Sequence, residues 1–190
     1  LHEMLNVEAE LAKLPEHEDI DAETVDAVLE EGGKFCADIL QPLNAVGDRE
    51  GCKLDGEGNV TVPTGFPEAW STMAEGGWFG INARPEIGGI GLPEVMNVAI
   101  IEMFTSAAMA FWTYPGLSGA AARVIDRFFD PERGEAIATK IFTGEWAGTM
   151  CLTEAGAGSD VGSNLCKATP QDDGTYLLEG EKIFISGGDH

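Results

Sequence analysis

The sequence predicts an α+β fold, with an all-helical N-terminal domain over residues 1–143 and the first strands of an antiparallel β domain over residues 144–190. Apolar residues recur at helical spacing through the first three quarters of the chain. From residue 146 onward, short apolar runs alternate with turn residues, as in antiparallel strands. Hydrophobic residues make up 44% of the 190 residues, enough to bury a core.

Two helices are predicted in the N-terminal part of the chain. Residues 1–14 have the apolar spacing of one helix. Asp19 or Asp21 caps a second helix, which ends before Pro42. Residues 47–63 are polar and rich in glycine, so they predict a loop with room for a short hairpin.

A run of side-chain oxygens in this loop imitates a calcium-binding loop: Asp55, Glu57, Asn59 and Thr61. Such a loop needs Gly at its sixth position and Glu at its twelfth. Val60 and Phe66 stand at those positions. We therefore predict no metal site.

Four further helices are predicted over residues 66–78, 93–112, 116–129 and 131–142. The helix over 93–112 is apolar on nearly every face, as in a helix buried in a core or between subunits. Residues 82–93, rich in glycine, predict a loop with repeated bends.

An uncharged window over residues 103–122 is long enough for a membrane span. Polar residues and the pair Pro115-Gly116 interrupt it. The window therefore predicts two buried helices that meet at a turn, and no membrane span. Four strands then follow over residues 146–152, 164–169, 174–180 and 182–186, as an antiparallel meander.

The charge of the chain limits its partners. Lys and Arg number 11 and Asp and Glu number 33, which gives a formal net charge of −22 at pH 7. Binding to a phosphate backbone requires Lys and Arg that displace counterions, so no nucleic-acid partner is predicted. The charge does not oppose a small anion held by backbone N–H groups.

The four cysteines form no C-x-x-C pair and predict small buried thiols in a reducing, cytoplasmic compartment: Cys36, Cys52, Cys151 and Cys166. The chain begins at Leu1 and ends at His190, directly behind an apolar run. We therefore expect it to be part of a longer protein, and an N-terminal targeting segment that has been removed stays an open alternative.

The segment after the first predicted strand carries the strongest functional signal. It has glycine at positions 156, 158 and 162 and hydroxyl groups at Thr153 and Ser159. Backbone N–H groups in such a loop can approach a phosphate without side-chain obstruction. The spacing G-x-G-x-x-x-G, followed by a strand, is not the dinucleotide-binding fingerprint. On spacing alone, a structural turn and a phosphate cradle both remain open.

Residues 152–160 (LTEAGAGSD) resemble the signature of the acyl-CoA dehydrogenases. Residues 85–92 (PEIGGIGL) and 177–186 (LLEGEKIFIS) resemble two further motifs of that family, in the same order. The long N-terminus and the 47–63 insertion look most like the large bacterial branch that includes 3-methylmercaptopropionyl-CoA dehydrogenases. The resemblance implies FAD as cofactor, a helical N-terminal domain and a β domain that begins at the signature.

The resemblance assigns FAD binding to residues of the signature and of the last predicted strand: Met150, Leu152, Thr153, Gly158, Ser159, Phe184 and Ser186. It implies that Thr153 faces the pyrimidine edge of the flavin, and that Gly158 and Ser159 approach the pyrophosphate. Ser159 also approaches the thioester substrate. Phe184 stands where the family commonly has Trp, which keeps an aromatic wall and loses the indole donor.

The implied reaction is α,β-dehydrogenation of an acyl-CoA thioester, with hydride transfer to the flavin. It needs a carboxylate base, which the resemblance places in a C-terminal helical domain beyond His190. No catalytic residue is therefore assigned within the chain, which we expect to be inactive alone. Glu154 is the tempting substitute, but its position in the signature favours a loop-supporting role.

The implied partners are an acyl-CoA substrate, an electron-transfer acceptor protein and further copies of the full-length chain. Two alternatives remain open. One is a flavin-binding paralogue with an oxidase or stress-response role. The other is a helical interaction module that binds no cofactor.

Overall fold

The computed structural model describes residues 1–189 and confirms a helix-rich α+β fold with two small antiparallel sheets. The helices are α1 His2–Leu5, α2 Val7–Leu11, α3 Ala22–Phe35, α4 Gln41–Glu50, α5 Phe66–Glu75, α6 Glu94–Phe128 and α7 Pro131–Phe142. The strands are β1 Lys53–Leu54, β2 Val60–Thr61, β3 Lys167–Pro170 and β4 Tyr176–Glu179. β1 pairs with β2 and β3 with β4.

The N-terminal helices differ from the prediction in two places. Residues 1–14 form two short helices, because Asn6 adopts a left-handed conformation (φ 47°) that asparagine tolerates. Asp21 caps α3 by accepting a hydrogen bond from the Thr24 N–H at 2.8 Å, as predicted. The helical structure does not end before Pro42, as the prediction had it. A π-helical turn over Cys36–Leu40 is followed at once by α4, so Pro42 falls in the first turn, where its missing N–H costs little.

The prediction of two helices over this region is confirmed, but they do not meet at Pro115-Gly116, where α6 stays helical. The backbone leaves helical geometry at Ala108 instead (φ −155°, ψ 78°). Phe111, Pro115 and Ser118 are buried on one face of the helix, and that packing outweighs the hydrogen bond that Pro115 cannot donate. By length and composition α6 is also the one helix of residues 1–189 that could cross a membrane.

Two hydrophobic clusters form the core. The larger cluster contains residues of α2, α3, α4, α5 and α6. Its fully buried side chains include Leu40, Met73, Phe104 and Phe111. The smaller joins α6 to α7 around Ala122, Ala138 and Phe142. α7 has the predicted bounds and is capped by Asp130, which accepts a hydrogen bond from the Arg133 N–H at 3.1 Å.

The predicted glycine loop lies between α5 and α6, with short 3-10 turns at Trp78–Gly80 and Pro85–Ile87. It folds back so closely that a Cβ at Gly89 would lie 1.9 Å from the Ala83 carbonyl oxygen. Only glycine fits there. The predicted hairpin after α4 is also present, as β1 and β2.

The C-terminal part has less strand than predicted. Residues 164–169 and 174–180 correspond to β3 and β4, but 146–152 and 182–186 form no strand within residues 1–189. These two segments lie side by side, and the Ile183 N–H donates to the carbonyl of Thr153, directly after the first segment, at 2.9 Å. A strand requires a ladder of such bonds, and neither segment has one.

Candidate functional site

The glycine-rich segment folds into a tight turn. The Glu154 N–H donates to the Ala157 carbonyl at 3.1 Å, and the Ala157 N–H donates to the Glu154 carbonyl at 3.0 Å. The side chain of Ala157 is buried beneath the turn. The turn therefore keeps a fixed shape at the point where the chain passes from helices to strands.

Glu154 anchors this turn to the chain that follows. Its carboxylate accepts hydrogen bonds from the N–H groups of Leu165 (2.7 Å) and Cys166 (3.0 Å). The Lys182 ammonium donates to the same carboxylate at 2.8 Å and to the Leu152 carbonyl at 2.9 Å. The structure thus confirms the loop-supporting role expected for Glu154.

These bonds favour the ionised form of Glu154. The Lys182 ammonium makes the largest contribution, followed by the Leu165 and Cys166 N–H groups, and together they lower the pKa of Glu154 from 4.5 to about 2. The side chain is only 9% exposed. The Glu154 carboxylate already accepts hydrogen bonds from one ammonium and two N–H groups, and its pKa is low. It is therefore a poor proton acceptor at neutral pH.

The outer side of the turn is open. A Cβ at Gly156 or Gly158 would meet nothing within 4 Å, and Ser159 is exposed. A hollow of about 380 Å³ lies between the turn and the β3–β4 sheet, and its lining includes Gly156, Lys167, Glu179 and Glu181. The carboxylates outnumber the one ammonium there, so a phosphate is better accommodated beside Gly158 and Ser159, which do not line the hollow.

The structure brings the remaining candidate residues onto two neighbouring segments. The bond from Ile183 to Thr153 joins them at one end, and the Thr149 hydroxyl donates to the Ser186 carbonyl at the other. The candidates carried by the two segments are Met150, Leu152, Thr153, Phe184 and Ser186. All of them are exposed except Thr153, which is half-buried.

Phe184 is unusual among these residues. Its side chain is 87% exposed and its φ is +56°, in the left-handed region that a bulky residue rarely adopts. Such strain persists where the surrounding structure imposes it, and it is commonest at ligand sites. An aromatic ring held outward on a strained backbone is therefore a candidate ligand contact.

Sequence reasoning missed three residues that hold this site together. Lys182 neutralises Glu154, and the Asn164 amide donates to the Leu152 carbonyl at 3.2 Å, while Asn164 Oδ1 is buried without a hydrogen-bond partner. The Ser118 hydroxyl accepts from the Gly148 N–H at 3.0 Å and joins the segment to α6. Of these three residues, only Ser118 could have been noticed in the sequence, because it is a polar residue within an apolar helix.

The cysteine thiols and the acidic loop supply none of the candidate residues of this site. Cys36 and Cys166 are half-buried and Cys52 and Cys151 are exposed, so the prediction of four buried thiols is wrong. Asp55 holds the β1–β2 hairpin by accepting from the Glu57 and Asn59 N–H groups. Across residues 1–189, no group of three His, Cys, Asp or Glu residues could hold a metal ion.

The helical part, the anchored turn and the β3–β4 sheet that follows it define an α+β protein. The family model for the acyl-CoA dehydrogenase N-terminal domain matches residues 22–145. The chain belongs to the acyl-CoA dehydrogenase family, which confirms the resemblance seen in the sequence.

Individual relatives agree with this assignment. The chain is 39% identical over 177 residues to a 3-methylmercaptopropionyl-CoA dehydrogenase of Ruegeria pomeroyi, covering 93% of this chain and 30% of that protein. The fold matches butyryl-CoA dehydrogenase from Megasphaera elsdenii with a TM-score of 0.71, at 23% identity, over 90% of this chain and 43% of that one. It also matches an acyl-CoA dehydrogenase complexed with FAD from Bacillus anthracis (TM-score 0.65, 25% identity, 88% and 27% coverage). The chain thus spans about 30% of the length of that curated relative.

Proposed function

We propose that this chain supplies part of the FAD-binding surface of an acyl-CoA dehydrogenase, which removes the α and β hydrogens of an acyl-CoA thioester. The observation that carries the proposal is the surface formed by the open glycine turn and Phe184. Backbone N–H groups of the turn suit a pyrophosphate, and exposed Met150, Leu152 and Phe184 suit the face of a planar ring. When bound, FAD supplies the hydride acceptor.

Each candidate residue has a proposed role on this surface. Gly158 and Ser159 hold the pyrophosphate, and Ser159 also contacts the thioester. The Thr153 hydroxyl binds the pyrimidine edge of the ring, while Phe184 packs against its face. Ser186 lies beside the ring nitrogen that receives the hydride. Glu154 and Lys182 position these groups by fixing the turn.

The proposal extends to the rest of the reaction. Acyl-CoA is the proposed substrate and an electron-transfer protein the proposed acceptor. Assembly of full-length copies, a cytoplasmic location and a domain boundary near residue 143 stay predictions. Since the Glu154 carboxylate is fully engaged, we expect the 190-residue chain with added FAD to reduce a dye acceptor no faster than FAD alone with any acyl-CoA thioester. Faster turnover would contradict this and would direct attention to Glu154.

Flavin retention tests the proposed surface. In a full-length version of the protein, Ser159→Ala combined with Thr153→Val should lower FAD retention on dialysis about tenfold or more, since each change removes a hydroxyl that faces a charged or polar group. Ser106→Ala combined with Thr72→Val is the matched control, because these hydroxyls donate to carbonyls of their own helices. The visible absorbance of the bound flavin gives the occupancy.

The same measurement separates the alternatives. A yellow protein that reacts directly with oxygen favours the oxidase or stress-response paralogue. A protein that remains colourless at saturating FAD favours the helical interaction module and contradicts the proposal. Equal retention by the double variant and its control would show that the assigned residues are wrong.

A further inference from the structure

The peptide unit between Leu152 and Thr153 is held from one side by two side chains. The Lys182 ammonium donates to the Leu152 carbonyl at 2.9 Å, and the Asn164 amide donates to the same carbonyl at 3.2 Å. A carbonyl oxygen has two lone pairs, so both are used. The orientation of this peptide unit is therefore set by residues that lie 12 and 30 positions further along the chain.

These two donors lie on the buried side of the peptide unit. Lys182 also donates to Glu154, which is 9% exposed, and the Oδ1 atom of Asn164 is buried. No peptide bond within residues 1–189 is cis, so the N–H of this unit points away from its carbonyl. The Thr153 N–H is thus directed away from Lys182 and Asn164.

The Thr153 N–H is a donor that the protein itself does not use. Within residues 1–189 it makes no hydrogen bond, although Thr153 is half-buried. The Thr153 carbonyl, in contrast, accepts from the Ile183 N–H at 2.9 Å. Backbone N–H groups shielded from water are nearly always hydrogen-bonded, so this donor suits an acceptor atom of a ligand. The pyrimidine edge of a flavin carries such acceptors, its two carbonyl oxygens.

Stability alone does not explain the asparagine at position 164. Its Oδ1 atom is buried and has no hydrogen-bond partner within residues 1–189. A buried acceptor without a partner lowers stability by as much as one hydrogen bond contributes, or by more. The Leu152 carbonyl would keep Lys182 as a partner without Asn164. What the Asn164 amide adds is a second donor that fixes the direction of the Leu152–Thr153 peptide.

We propose that Asn164 is a positioning residue of the flavin site, where its amide orients the Leu152–Thr153 peptide so that the Thr153 N–H donates to a carbonyl oxygen of the flavin ring. The presence of FAD rests on the proposed function. The inference adds a residue that acts through the Leu152 carbonyl and contacts neither FAD nor substrate. Asn164 therefore lowers the stability of the folded chain and strengthens flavin binding.

Asn164→Leu in a full-length version of the protein tests this role. The change keeps the branched shape of the side chain, and it removes both the donor to Leu152 and the unpaired Oδ1. The dissociation constant of FAD should rise about three- to tenfold, the effect of one hydrogen bond, while the urea midpoint of unfolding stays the same or rises. A lower urea midpoint with unchanged FAD affinity would show a purely structural role and overturn the proposal.

Two further variants make the test independent of one substitution. Asn164→Ala removes the amide without adding apolar bulk, and it decides the matter if circular dichroism shows that Asn164→Leu fails to fold. Asn97→Leu is the matched control, because Asn97 is 5% exposed and its amide donates to Glu94 on α6 at 2.9 Å. The control should lower the urea midpoint and leave FAD affinity unchanged. A rise in the FAD dissociation constant as large as that of Asn164→Leu would overturn the proposal.

The reduction potential of bound FAD is a readout that a structural role would not move. Reduced flavin carries negative charge on its pyrimidine edge, so a hydrogen bond there stabilises the reduced form more than the oxidised form. If Asn164→Leu weakens binding of reduced FAD about tenfold more than that of oxidised FAD, the two-electron potential falls by about 30 mV. An unchanged potential would contradict a contact between the Thr153 N–H and the ring.

Flavin retention by the unmodified protein separates this inference from the proposed function. If the unmodified protein and both Asn164 variants retain FAD equally and with one potential, the role of Asn164 is overturned and the proposed function stands. If the unmodified full-length protein retains no FAD, the proposed function and the role of Asn164 are both contradicted.

Discussion

The helical part and the C-terminal part of this chain are stabilised in different ways. Residues 1–143 enclose two hydrophobic clusters. Of the described residues 144–189, only Glu154 and Ala157 are buried, and every residue of β3 and β4 is exposed. Packing therefore holds the first part, while a few directional hydrogen bonds hold the second. That second part leaves its backbone and apolar groups open, as a ligand surface requires.

The largest expected effect comes from the core of the helical part. Phe104 is 0% exposed and its ring contacts those of Phe35, Trp78 and Trp112, with 5.3 to 5.6 Å between centroids. Phe104→Ala should lower the free energy of unfolding by about 3–5 kcal/mol, because the cavity it leaves adds to the lost burial. Urea denaturation followed by circular dichroism measures it.

Leu178→Ala in β4 is the comparison from the C-terminal part. This side chain is 76% exposed, so the free energy of unfolding should change by no more than about 0.5 kcal/mol. If Leu178→Ala and Phe104→Ala lowered the free energy of unfolding by similar amounts, packing would stabilise both parts of the chain to the same degree.

A smaller and more local effect should follow the ionisation of Glu154. Its pKa is lowered in the folded chain, so its stabilising contribution is complete above pH 4.5 and is lost as the pH falls toward about 2. Amide NMR signals of Leu165 and Cys166 should therefore shift between those pH values. Signals from the α6 core serve as the reference.

Glu154→Gln is the isosteric control for this titration. It keeps the shape of the side chain and removes its charge, so the low-pH transition at Leu165 and Cys166 should disappear. A transition that persists in the variant would assign the titration to another carboxylate. A loss of helical signal in the same pH range would contradict the local nature of the contact.

The smallest expected effect concerns Phe184. Phe184→Gly relieves a left-handed conformation that costs about 1–2 kcal/mol, and part of this gain is offset by the greater freedom of glycine in the unfolded chain. The free energy of unfolding should therefore stay the same or rise by at most about 1 kcal/mol, while FAD retention falls. Thermal unfolding measures the change in stability, and flavin absorbance measures the change in FAD retention.

Leu177→Gly provides the contrast, because Leu177 lies in β4 without a positive φ. That change should destabilise the β3–β4 hairpin by about 0.5–1 kcal/mol and leave FAD retention unchanged. If Phe184→Gly destabilised the protein more than Leu177→Gly did, the backbone at Phe184 would not be strained.

Local sequence signals predicted local structure well. Asp21 caps α3 as predicted, because its carboxylate accepts a hydrogen bond from a free N–H of the first turn and needs no distant partner. The change of period after residue 143 located the end of the helical part. The motif residues also predicted the family, and Glu154 was correctly expected to support the turn.

Only the tertiary structure decided the rest, because the deciding partners are distant in sequence. Proline signals suggested breaks at Pro42 and Pro115, yet packing against the core carries helical structure through both. Residues 146–152 could form a strand only by pairing through hydrogen bonds with a neighbouring strand, and the apolar pattern of the segment does not specify such a partner. Lys182 reaches Glu154 across 28 residues. The sequence by itself thus determined where α3 and α7 begin and which family the chain joins, whereas the anchored turn and the exposed Phe184 arise from contacts that only folding brings together.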